Sequence, residues 1–110
     1  MKLPNCKQAY IASSKISDYL LDVGHPAGQS KARFFRLVGF DESTIDKLHE
    51  GLLEIAREED VIEVKNSIHG MKYVIDGMLS TPADRQVSIR TIWIIDAGYE
   101  IPRFVTAYPH

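Results

Sequence analysis

Sulfur is scarce in this chain, and long apolar runs are missing. The single cysteine, Cys6, excludes an internal disulfide and a cysteine-based zinc centre. No apolar segment approaches the roughly 18 residues that a membrane-crossing helix needs. Met1-Lys2-Leu3-Pro4-Asn5 carries no apolar signal core. The expectation is a cytoplasmic protein without membrane association, or a module of a longer chain. Glycine-rich phosphate loops and the G-x-S-x-G pattern are absent. His25, His49, His69 and His110 are scattered without ligand spacing, and no carboxylates cluster. No metal centre and no cofactor are therefore expected. Repeats and low-complexity segments are also missing.

What is present is an ordinary globular composition. The 110 residues are 45% hydrophobic and 25% charged, enough for a core without staples. A single domain over residues 1–110 is expected, with a helical part at about 12–58 and a sheet part at about 61–109. The net charge of −2 hides a division. Residues 1–36 hold six Lys or Arg against Asp18 and Asp22, a balance of +4. Residues 37–70 hold nine acids against Lys47, Arg57 and Lys65, a balance of −6, and the rest is neutral. A basic front half permits a localised anion site. A general nucleic-acid binder would be basic throughout.

The periodicity falls into two halves. Ser13 or Ser14 caps a helix to about Leu21, with Ile16, Tyr19 and Leu20 on one face and Gly24 as its stop. His25-Pro26-Ala27-Gly28 reads as a turn. A short helix follows from Ser30, with Phe34, Leu37 and Val38 facing the core and Gly39 ending it. Lys31 lies in its first turn, where the dipole disfavours a cation and a bound anion would relieve the conflict. Asp41 is a good N-cap for a third helix, and Phe40 with Ile45 has staple spacing. Ile45, Leu48, Leu52, Ile55 and Ala56 keep the 3.6 period, with Glu42, Asp46, Glu50 and Glu54 on the wet side.

From Val61 the period becomes two. Val61–Val64, Met71–Leu79, Val87–Ile95 and Arg103–Tyr108 read as strands. Gly77 marks a candidate bulge. The expected fold class is α+β: about three N-terminal helices followed by a four-stranded antiparallel sheet. In the third strand Ser88, Arg90, Ile92 and Ile94 share one face, opposite Val87, Ile89, Thr91, Trp93 and Ile95. In the fourth, Phe104, Thr106 and Tyr108 share a face.

His25, Lys31, Arg90, Thr106 and Tyr108 form the set with chemical potential. It joins an acid/base group to cations and hydroxyls. RNA cleavage without a metal needs such a set: a base for the 2′-OH, an acid for the leaving 5′-oxygen and fixed donors for the phosphorane-like transition state. Imidazole titrates near neutrality, and a guanidinium can grip two phosphate oxygens. Each residue also has a plain structural reading. His25 suits a turn, Lys31 a solvated helix face, Arg90 an ion pair with an acid such as Asp76, Thr106 an ordinary strand, and Tyr108 the border of the core.

Three segments resemble a known family: KISDYLLDVGHPAGQSKARFF, GMKYVIDGMLS and VSIRTIWIIDAGYEIPRFVTAYP. They are similar to uncharacterised bacterial domains found beside short partner genes or at the C-termini of large secreted toxins and adhesins. The layout resembles, more loosely, the barnase–EndoU–colicin–RelE-like ribonuclease toxins, in the closing Phe104–Pro109 strand and a His/Lys element ahead of the sheet. The resemblance implies metal-independent RNA cleavage and a cognate neutralising protein, with His25, Lys31, Arg90, Thr106 and Tyr108 as catalytic residues. The acidic net charge departs from the basic balance usual among such toxins. The rival is a non-catalytic protein-interaction module, the partner-binding half of a small two-gene system, presenting Glu42, Asp46, Glu50 and Glu54.

Overall fold

Apolar residues alternate in one half of the chain and recur every three to four residues in the other, and the fold follows that split. The structure, a computed structural model, describes residues 1–24 and 29–110. The helical half contains α1 (Ser13–Lys15), running directly into a π-helical turn (Ile16–Leu20), then α2 (Gln29–Leu37) and α3 (Ile45–Glu58). The second half is an antiparallel meander in the order β1-β2-β3-β4, with β1 Glu63–Ser67, β2 Gly70–Ser80, β3 Gln86–Asp96 and β4 Arg103–Pro109. The α+β class is as expected. Among the described residues no helix is long and apolar enough to cross a membrane.

Asp41 caps a 3-10 turn, Glu42–Thr44, that leads into the third helix, rather than capping α3 itself. Ser43 N–H donates to its carboxylate at 2.8 Å, and its own N–H donates to the Thr44 hydroxyl at 2.8 Å, closing a capping box. Leu48, Leu52, Leu53, Ile55 and Ala56 are buried against the sheet. The first helix departs from expectation: Ala12 is its N-cap and no side chain caps it. In α2 the buried residues are Ala32 and Phe35, while Leu37 is 85% exposed. Val38 is buried and Phe34 partly buried against the core as expected, so Leu37 alone departs, and Phe35 packs edge-on against Phe34 and Phe40.

β1 begins two residues later than expected, because Val61 N–H donates to Met1 O at 2.7 Å instead of entering the ladder. Gly77 is not a bulge, since β2 and β3 pair without interruption from Gly70–Asp96 to Ser80–Gln86. Its small size serves helix packing: a Cβ there would come within 2.9 Å of Ile55 Cγ1. The bulge lies instead in β4. Ile92 pairs with Thr106 and Trp93 with Phe104, so Val105 is the extra residue. It separates Phe104 from Thr106 and Tyr108, which were expected to share its face. Phe104 and Ala107 go into the core with Trp93 and Thr91, and Thr106 and Tyr108 go to the other side.

Tyr73, Ile75, Leu79, Ile89, Thr91, Trp93, Phe104 and Ala107 make the sheet's buried face, beneath the helices. The opposite face carries Lys72, Val74 and Asp76 of β2, Arg90, Ile92 and Ile94 of β3, and Arg103, Thr106 and Tyr108 of β4. Edge strand β1 is exposed throughout and bears Glu63 and Lys65, charges that discourage edge-to-edge pairing.

Candidate functional site

Register places three of the expected residues together on the open face. Asp76, Arg90 and Tyr108 form one straight row across β2, β3 and β4, and Thr106 stands in the next row beside Ile92. Cross-strand neighbours of this kind are close enough to interact directly. Arg90 donates from Nε to Asp76 Oδ1 at 2.8 Å and from Nη2 to Oδ2 at 3.0 Å, a fork matched to a carboxylate. Both side chains are about one quarter exposed. The Arg90–Asp76 pair is the one the plain structural reading anticipated. Its hydrogen bonds hold the Asp76 carboxyl below its usual range and push Arg90 above its own, with Tyr108 adding to the latter.

A second cluster adjoins the row. Tyr19, from the π-helical turn, lies 3.1 Å from Thr106 Oγ1 through its hydroxyl. Lys15 Nζ stands 5.0 Å and Lys31 Nζ 5.7 Å from the Tyr19 ring centroid, within cation–π range. Burial alone would raise the Tyr19 phenol. The Thr106 hydrogen bond and the ammonium groups of Lys31 and Lys15 together outweigh it and lower the phenol below its ordinary value. Lys31 and Tyr108, with Ser30 and Pro109, line a shallow depression of about 460 Å³.

Four of the five expected residues therefore occupy adjoining positions. Lys31 and Tyr108 border one depression, Tyr108 neighbours Arg90, and Thr106 joins Lys31 through Tyr19. His25 lies outside the described residues. Among the described residues no three His, Cys, Asp or Glu side chains stand close enough to hold a metal ion together.

A larger depression, about 1000 Å³, lies at the opposite end of the β3–β4 hairpin among Tyr10, His69, Asp96, Tyr99 and Arg103. It contains none of the expected residues. Its guanidinium is engaged by Asp96 at 2.7 and 3.0 Å, an ion pair that ties the two hairpin strands together. The Lys31–Tyr108 hollow is smaller, but its residues supply the cation and hydroxyl that a phosphate would need.

Two residues at the site were not picked out from sequence. Tyr19 reads as a core-facing helix residue and does pack against the core, but its hydroxyl also reaches Thr106. His110 reads as one of four scattered histidines. It lies two residues beyond Tyr108, hence on the same strand face, and that spacing was the available signal. His110 N–H donates to Ser88 O at 3.1 Å, prolonging the ladder by one residue. Its Nε2 stands 3.3 Å from Asp76 Oδ2 and 3.1 Å from Arg90 Nη2.

No curated protein matches the chain. Among solved structures it is similar to a chain of a contact-dependent growth inhibition toxin–immunity protein complex from Klebsiella pneumoniae 342. The TM-score is 0.71 at 14% identity, over 96% of each chain. That likeness is one of fold. The family model described as a domain of unknown function, DUF6883, matches residues 2–110, and the chain belongs to that family.

Proposed function

We propose that this protein is a metal-independent ribonuclease of the bacterial toxin type, held in check by a cognate neutralising protein. The observation that carries the reading is the Asp76–Arg90–Tyr108 row, flanked by Thr106 and Lys31 on one side of the molecule. The near full-length fold likeness to a chain of a toxin–immunity protein complex supports the biological setting. In this reading Lys31 and Arg90 bind the phosphate and stabilise the charge of the transition state, as fixed donors do in a preorganised site. Thr106 and Tyr108 orient the phosphate oxygens. His25 carries a proton to or from the reacting oxygens.

A second reading has its own observation. Arg90 is paired with Asp76, and Glu42, Asp46, Glu50 and Glu54 lie exposed along α3 and the turn before it. A partner-binding module would use that acidic ridge against a basic protein and would have no need of the open face.

Expression in a bacterial host separates the two. The ribonuclease reading expects arrested growth and degraded RNA, reversed by co-expression of the neutralising protein and by His25→Ala. Undegraded RNA in cells accumulating the folded protein alone would favour the interaction module.

A further inference from the structure

We infer that His110 is a second proton-transfer residue of this site: the general acid that protonates the leaving 5′-oxygen, supported by Asp76 and Arg90. The inference rests on the ribonuclease reading and assigns a step that the expected residues leave unfilled.

Cleavage by the 2′-hydroxyl needs two proton transfers. A base takes the 2′-OH proton as the 2′-oxygen bonds to phosphorus. The bond from phosphorus to the 5′-oxygen breaks, its electron pair goes to that oxygen, and an acid supplies a proton there. The products are a 2′,3′-cyclic phosphate and a 5′-hydroxyl. One histidine can serve one end of this exchange. Lys31 and Arg90 are cations suited to binding phosphate, and a guanidinium does not give up its proton near neutrality. A second imidazole within reach would supply the other proton carrier that the exchange needs.

His110 is that imidazole. Its position is fixed by the backbone, since its N–H bonds to Ser88 O and continues the β3–β4 pairing. Alternation turns it to the face of Tyr108 and Arg90, whereas Pro109 pairs with buried Ile89. Nε2 lies between groups of opposite charge, 3.1 Å from Arg90 Nη2 and 3.3 Å from Asp76 Oδ2. With a lone pair, Nε2 accepts from the guanidinium. With a proton, it donates to the carboxylate. With Nε2–H held by the carboxylate, the proton given to the 5′-oxygen is the one on Nδ1, and its loss leaves the Asp76 contact in place. The side chain is 47% exposed, open to substrate and to solvent protons. The carboxylate–imidazole contact also fixes the direction of the ring, as a carboxylate does for a catalytic histidine.

The test compares wild-type protein with His110→Ala on two substrates. One is an ordinary oligoribonucleotide. The other carries sulfur in place of the 5′-bridging oxygen at the cleaved position, and thiolate leaves without needing an acid. The expected loss on the ordinary substrate is on the order of 10²–10⁴-fold, as for removal of a general acid, and most of it disappears on the sulfur substrate. Thermal melts of both proteins establish that the variant is folded. Equal cleavage of the ordinary substrate by both proteins overturns the role of His110 and leaves the ribonuclease reading standing. An equal loss on both substrates overturns the acid assignment. A wild-type protein that cleaves neither substrate overturns the ribonuclease reading, and this role with it.

Discussion

Arg90→Ala is expected to lower RNA cleavage by about 10²- to 10³-fold, the usual cost of deleting a preorganised donor to a developing charge. The geometry makes the guanidinium more than a strut. Asp76 and His110 are met through Nε and Nη2 only, so the Nη1 N–H groups are used by neither. Asp76 fixes the plane and direction of the fork, and a guanidinium held in this way loses little freedom when it binds phosphate. Arg90→Lys should recover only a small part of the activity, since an ammonium keeps the charge without the planar fork. The measurement is the initial rate of oligoribonucleotide cleavage, with circular dichroism confirming the fold. A folded Arg90→Ala protein that cleaves at the wild-type rate would reduce the Arg90–Asp76 pair to a structural contact.

Trp93→Ala is expected to cost about 3–5 kcal/mol of folding stability, as for other large-to-small core changes. Trp93 is fully buried and packs edge-on against Phe104, with ring centroids 5.3 Å apart. Its indole N–H donates to Thr91 Oγ1 at 2.8 Å, and that hydroxyl donates to Ile75 O at 2.8 Å. The pair explains a threonine on the core face of a central strand. Thr91→Val keeps the shape and strands the indole N–H, so it should cost about 1–3 kcal/mol. Thr91→Ser keeps the hydroxyl and should cost less than Thr91→Val. Urea unfolding midpoints give all three values, and a Thr91→Val protein with the wild-type midpoint would contradict this view of the core.

The elements that could be read from sequence were those with strong local signals. Asp41 marks the turn that leads into α3 and the Leu48–Leu52–Ile55 stripe marks the helix itself, because capping and the 3.6 period act within a few residues. Strict alternation in β3 places Arg90 and Trp93 on opposite faces, as the structure has them. The Val105 bulge left no such mark. It depends on pairing between β4 and β3, and it moves Phe104 away from Thr106 and Tyr108. Gly77 was visible as an odd residue in a strand, but its reason, the approach of Ile55, comes from a distant helix.

The site divides in the same way. Arg90, Thr106 and Tyr108 stand out because polar residues in apolar strands are conspicuous. Asp76 was legible as a possible partner of Arg90, but that it holds both Arg90 and His110 was not. Tyr19 was concealed by its helical spacing, which suits a core residue equally well. The hydroxyl contact that joins it to Thr106 spans 87 residues of chain.

The most direct test of the proposal is incubation of the purified protein, separated from any neutralising partner, with total bacterial RNA in the presence of a chelator. The ribonuclease reading predicts discrete fragments ending in 2′,3′-cyclic phosphate, formed about 10²- to 10³-fold more slowly by the Arg90→Ala protein. RNA left intact by the folded wild-type protein would contradict it.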